Sequence, residues 1–348
     1  MFNNIKFSKI NPIVVMPDFF IDRIIELKSK EYFFESILNK AKYGGGSIRD
    51  YSAIERKGGN AVNVAYALAT LGAKVVLFTI ADKVGSAFLL NTFSKFGDMV
   101  QLRIANGSQG LTTALEFHSE DGATENIMLN HLRDMAAIGP EIISSEKDDL
   151  ILKYASAVIF LNWASNNKGT ALLEHVFNNS SNTSSFHFLD PSDIDNRKNE
   201  FKEMLLQNID NIDALSINEN ECNSLFKAFD LNENIFPDTS RIEIEKMICN
   251  LSATLGIEVC LHTRKGSHWS DGKDVFFAKA LETKVVNLTG AGDCWDAGYI
   301  FSTIAGAKVQ ERLLFANAFA SLYVGNSDGE PPRIEKVVKL LENNINMK

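Results

Sequence analysis

The chain has 348 residues and a mass of 38.6 kDa, with 45% apolar and 23% charged residues. Such a chain buries about three quarters of its unfolded surface without disulfides or structural metal, which excludes disordered, collagen-like and coiled-coil classes. Its formal net charge is −9 and it has no Lys/Arg-rich run, so no nucleic-acid partner is expected.

The opening residues MFNNIKFSKINP lack the apolar run of a signal peptide. No run approaches the ~18 apolar residues that span a bilayer, so a cytoplasmic protein with no membrane partner is expected. Residues 13–16, bounded by Pro12 and Pro17, read as a short buried strand. Residues 28–57 read as an irregular stretch, most flexible at Gly44-Gly45-Gly46. Lys57, Gly58 and Gly59 then lead into a helix over 60–71. There Val62, Ala65, Leu68 and Leu71 recur at helical spacing, with Asn60 as the expected N-cap and Gly72 as the stop. Residues 75–80 are another buried strand. Residues 111–117 and 126–129 flank Glu120-Asp121-Gly122 and predict a β-hairpin. Further apolar runs at 157–161, 186–189, 214–217 and 259–261 alternate with helical patterns, and 293–304 and 311–324 are two late helices.

This alternation predicts a mostly parallel sheet covered by helices on both faces. No Pro/Gly-rich linker divides the chain, so one domain over 1–348 is expected. Two interruptions of the rhythm, about 23–57 and 111–134, predict a β lid over the carboxyl ends of the strands, where open α/β sheets bind ligands. The four cysteines, Cys222, Cys249, Cys260 and Cys294, match no zinc or redox spacing, and the six histidines show no metal-ligand pattern.

Two glycine-rich segments carry the chemistry. In Gly58-Gly59-Asn60-Ala61-Val62-Asn63, paired glycines let backbone approach a ligand, and the Asn63 amide can both donate to and accept from a hydroxyl. In Thr289-Gly290-Ala291-Gly292-Asp293, N–H groups freed at a helix start form an anion cradle beside a carboxylate. Phosphoryl transfer needs this pairing: the carboxylate accepts the proton of the attacking hydroxyl, and the N–H groups hold developing charge. The helix dipole is expected to lower the pKa of Asp293, and a loose transition state tolerates so weak a base. Trp295, where a third glycine would stand, excludes a dinucleotide fingerprint. Gly266 to Lys273 misses a P-loop by one residue of spacing.

In this order the segments resemble the ribokinase/PfkB carbohydrate kinases over nearly the whole chain. VVMPDFFID, residues 14–22, is similar to the family's first strand and sugar-binding end. The resemblance implies a ribokinase-like three-layer α/β/α sandwich with a small β lid. It implies that Asp22, Gly58, Gly59 and Asn63 bind substrate and that Asp293 is the base. Gly290, Ala291 and Gly292 would supply the anion hole. Asp190-Pro191 resembles the D-P after a middle strand. Asn218 and Glu221 match the N-x-x-E motif linked to Mg²⁺ and phosphate placement, with Glu221 acting on the metal indirectly. Thr263 and Gly266 resemble the nucleotide-contacting turn, and Asn317 falls where a C-terminal helix meets adenine. Asn287-Leu288 replaces the family's usual Asp-Thr, which puts a monovalent cation in doubt, and Pro17 replaces a glycine.

The implied activity is transfer of the γ-phosphoryl group of ATP, with Mg²⁺, to a hydroxyl of a sugar or sugar derivative. Phe19 and Phe20 beside Asp22 leave a nucleoside acceptor open, since an aromatic can stack on a base. A non-catalytic sugar- or nucleotide-binding member is the third reading. His131 and Arg133 would reach the substrate from the lid, Arg264 and Lys265 the phosphates, and a homodimer through the lid is an expected partner.

Overall fold

The computed structural model describes residues 11–27, 29–49, 51–118, 124–180, 185–286 and 289–345. The strands are β1 (Ile13–Met16), β2 (Phe20–Leu27), β3 (Ser52–Gly58), β4 (Val75–Ala81), β5 (Val100–Asn106), β6 (Gly110–His118), β7 (Thr124–His131), β8 (Ala157–Leu161), β9 (Phe186–Asp190), β10 (Ala214–Ile217), β11 (Glu258–Thr263), β12 (Gly266–Ser270) and β13 (Val275–Lys279). The helices are α1 (Lys30–Ala41), α2 (Asn60–Thr70), α3 (Lys83–Phe93), α4 (Glu146–Lys153), α5 (Gly169–Ser180), α6 (Lys198–Asn208), α7 (Glu219–Ala228), α8 (Arg241–Leu255), α9 (Ala291–Ile304), α10 (Val309–Val324) and α11 (Ile334–Ile345).

Strands β1, β4, β8 and β10 are apolar on nearly every residue because both faces of their sheet are covered. In β1, Ile13 and Val15 enter a core built with α2, α9 and α10, while Val14 and Met16 enter one built with α5, α6, α7 and α8. The result is three layers, helix on sheet on helix. The main sheet runs β13-β12-β11-β10-β9-β8-β1-β4-β5, and its pairs are parallel except β11–β12 and β12–β13. A second sheet, β3-β2-β6-β7, forms the lid. Its register puts Asp22 opposite Thr112, and Thr112 opposite Asn130, so a polar row crosses one face. The turn expected at Glu120-Asp121-Gly122 and the Asn287-Leu288 pair lie outside the described residues.

Two local expectations are corrected. The stretch read as irregular contains α1, capped by Ser29, whose hydroxyl accepts from Tyr32 N. None of its residues is buried, and it touches the lid through Phe33 and Phe34 against Phe117. A helix that never reaches the core leaves no clear apolar stripe to read. At the start of α2 the N-cap is Gly59, with φ 90°, and Asn60 is already helical. The capping acceptor comes from another strand's end: the Asp18 carboxylate accepts from Asn60 N and Ala61 N, both at 2.8 Å.

The cysteines are free, with Cys222, Cys260 and Cys294 buried. Among the described residues no helix is long and apolar enough to cross a membrane.

Candidate active site

The carboxyl ends of β1, β9, β10 and β11 and the N-termini of α2, α7 and α9 converge beneath the lid. Two cavities meet there, of about 990 and about 370 Å³. Asn218, His262, Ala291 and Gly292 stand in both walls.

The smaller cavity gathers Asp22 from the lid, Gly59 and Asn63 from the start of α2, and Gly290 to Asp293 from the start of α9. Asp18, Asn162, Asp190 and Glu221 complete its polar wall, with Phe20, Met128 and Leu132 as its apolar part. Among the described residues no Lys or Arg lines it. Gly58 lies just behind: a Cβ there would come within 2.3 Å of the Asp22 carboxylate. Asp22 also bonds the Thr112 side chain, and burial raises its pKa.

Asp293 is in the first turn of α9, whose N-cap is Gly290 at φ 83°. A side chain at Gly290 would meet the Tyr323 hydroxyl at 2.8 Å. No side chain caps this helix, so its first N–H groups face the joint between the cavities. The Asn63 amide donates to Asp293 Oδ2 at 2.8 Å, and Asn63 Oδ1 accepts from Lys57 Nζ at 3.1 Å. The expectation of a lowered Asp293 pKa is overturned. Burial, with Asp190 and Asp18 adding to it, pushes it up to about 7, against the Asn63 hydrogen bond and Lys57. Asp293 is 9% exposed, and loss of hydration outweighs the helix dipole. Behind it, fully buried Asp296 accepts from Ser216 at 2.6 Å, and burial with Asp190 beside it holds its carboxyl well above the usual range.

Asn218 caps α7. Its Oδ1 accepts from Asn220 N and Glu221 N, while Glu221 returns two bonds, accepting from Asn218 N and Nδ2 at 2.8 Å. Burial and the charge of Asp190 raise Glu221 to about 8.

The larger cavity holds Thr263, Arg264, Lys265 and Asn317 in its wall. Arg264 is exposed, whereas Lys265 donates to Pro237 O at 2.6 Å. Gly266 is outside the wall, buried at the start of the β12 hairpin. The Asn317 amide is committed within the protein: its Oδ1 accepts from Ser267 and Trp295, and its Nδ2 donates to Ala278 O. His131 and Arg133 are exposed and in neither wall. Phe19 does not flank the site; it is fully buried against Phe88.

Sequence reasoning missed Lys57 and His262 as site residues, and gave Asp18 no role of its own. Burial lowers the His262 pKa to about 4, so a neutral imidazole stands where the cavities meet. The motif around Gly58 offered a signal for Lys57, which directly precedes it. For His262 the signal was its place beside Thr263.

A model of the pfkB family of carbohydrate kinases matches residues 35–336. Ribokinase of Lactococcus lactis subsp. lactis is 30% identical over 146 residues, 41% of this chain and 43% of that protein. A 5-dehydro-2-deoxygluconokinase of Bacillus licheniformis is 27% identical over 116 residues, 32% and 35% of the two chains. The chain thus spans less than half the length of these relatives. Over 95% of its length it superimposes on 99% of Arabidopsis thaliana ribokinase, solved with ribose and ATP, at a TM-score of 0.70 and 22% identity.

Proposed function

Because the chain belongs to the pfkB family of carbohydrate kinases, we propose that it transfers the γ-phosphoryl group of ATP to a hydroxyl of a neutral sugar. The observation that carries this reading is the place of Asp293. It lines the smaller cavity directly after Ala291 and Gly292, which stand in both walls, in the first turn of α9, and is bonded to Asn63. The larger cavity takes the nucleotide and the smaller one the acceptor.

Asp22 and the Asn63 amide bind acceptor hydroxyls, and Asp293 takes the proton of the attacking one as transfer proceeds. The N–H groups at Gly290, Ala291 and Gly292 hold the charge that develops on the transferred group. Glu221, whose carboxyl is raised by burial and then by the charge of Asp190, offers the oxygen donors that fit a hard divalent cation. Among the described residues no three His, Cys, Asp or Glu side chains form a metal cage. Glu221 would therefore hold Mg²⁺ through water, beside the donor phosphates. Bound Mg²⁺ supplies charge neutralisation on those phosphates.

Five carboxyl groups, with no Lys or Arg among the described residues of the acceptor wall, favour a neutral acceptor over a sugar acid or sugar phosphate. Phe20, Met128 and Leu132 in the same wall support a nucleoside as the second reading. The test is nucleoside-diphosphate release with Mg·ATP across neutral sugars, sugar acids, sugar phosphates and nucleosides. Turnover of a neutral sugar, with a loss on the order of 10²-fold or more in Asp293→Asn, is the expected result. Turnover of nucleosides alone selects the second reading. No turnover leaves a binding protein on a kinase fold, and turnover with an unaffected Asp293→Asn removes Asp293 as the base.

A further inference from the structure

Lys57 is the penultimate residue of β3, a lid strand, yet its ammonium leaves the lid and lies among groups of the main domain. It donates to Asn63 Oδ1 at 3.1 Å and sits 4.6 Å over the Tyr66 ring on α2. Tyr66 is itself held, donating to Glu330 at 2.6 Å. A primary amide has one acceptor end and one donor end. With Lys57 on the oxygen, the NH₂ of Asn63 must face Asp293, where it donates at 2.8 Å. A flipped amide would set its oxygen against a carboxylate and its NH₂ against an ammonium. Lys57 therefore locks the one orientation that supports an ionised Asp293.

We propose that Lys57 is a positioning residue for the transfer: through the Asn63 amide it aims the Asp293 carboxylate and keeps it ionised. The proposal rests on the reading of Asp293 as the base, and adds to it a cation supplied by the lid. The other groups that face Asp293 push the opposite way or not at all. Asp18 after β1 and Asp190 at the end of β9 disfavour its charge, as do Cys294 and Asp296 on its own helix when ionised. His262 on β11, beside Gly292, is neutral. Lys57 is thus the cation that counters them. Burial lowers its own pKa, while Asp293, Asp22 and Glu330 favour its charge.

The experiment reads the carboxyl directly, so it needs no acceptor. The full chain is labelled with ¹³C at aspartate carboxyls and titrated by NMR, and Asp293 is identified by the signal lost in Asp293→Asn. Its midpoint near 7 should rise by roughly one unit in Lys57→Met and return most of the way in Lys57→Arg. In an Asn63→Ala background, Lys57→Met should shift it by clearly less, since the amide that relays the effect is gone. Lys57→Met should also lower kcat for Mg·ATP turnover across the acceptor panel more than it raises acceptor KM. An unmoved midpoint in Lys57→Met, or an equal shift in the presence and absence of Asn63, overturns the proposal. A shifted midpoint together with full activity of Asp293→Asn keeps the Lys57–Asn63 lock but removes the base reading beneath it.

Discussion

Gly58→Ala tests whether the acceptor is read by Asp22. The new Cβ would stand 2.3 Å from Cγ and both oxygens of that carboxylate. Ordinary contact begins near 3.4 Å, so the carboxylate must retreat by about 1 Å. It is the far end of a half-buried side chain, so the fold can yield. What cannot survive is its aim and its bond to Thr112. Losing one hydrogen bond to a charged group costs about 1.5–3 kcal/mol, equivalent to roughly 10- to 10²-fold in affinity. Acceptor KM should therefore rise by that factor while the KM for Mg·ATP, bound in the other cavity, stays put. Tm should fall by no more than about 4 °C, the shift of about 1 kcal/mol in a large domain. Gly59→Ala is the contrast: at φ 90° its Cβ meets the backbone oxygen of Asp18 at 2.9 Å. Backbone cannot retreat as a side chain does, and the strain costs about 1–3 kcal/mol before the clash is counted. That variant should lose Tm first. An unchanged acceptor KM in Gly58→Ala, with the protein folded and active, would refute the role of Asp22.

Two further outcomes follow from the site. The acid limb of kcat/KM for the acceptor should have its midpoint near 7, because the base works ionised and burial raises Asp293 to about that value. Activity then climbs as pH rises through 7, and a limb near the ordinary aspartate value of 3.8 would contradict the assignment. Phe19→Ala and Phe20→Ala should part company. Phe19, fully buried, should cost about 3–5 kcal/mol of stability, whereas Phe20, in the cavity wall, should mainly raise acceptor KM. Thermal melts and acceptor titrations on both variants decide it.

The legible parts of this fold are those where a short segment meets its whole environment at once. Ile13–Met16 reads as a buried strand because both its faces are covered. The Gly290–Asp293 segment reads as an anion cradle because helix starts behave alike wherever they occur. The illegible parts are contacts between distant segments. Nothing near Asn60 says that its helix is capped by Asp18, 42 positions earlier. Nothing near Asp293 announces Asn63, 230 positions away, or the Lys57 that orients it.

The sign of the Asp293 shift is the sharpest instance. Read locally, the carboxylate lies in the first turn of a helix, and the dipole favours its charge by about 0.3–1 kcal/mol. Read in place, it is 9% exposed and neighboured by Asp18 and Asp190. Burial alone shifts such groups by up to 3–5 units, at about 1.4 kcal/mol per unit. The second effect is several times the first, so the fold reverses what the segment dictates. That reversal also suits the chemistry. A carboxylate held near pH 7 is a far better proton acceptor than one near 3.8, and closeness of the acid and solution pH is what general base catalysis rewards. The Asn63 bond and the Lys57 charge then keep the reversal from going too far, since a base raised well beyond 7 would stand protonated when the acceptor arrives.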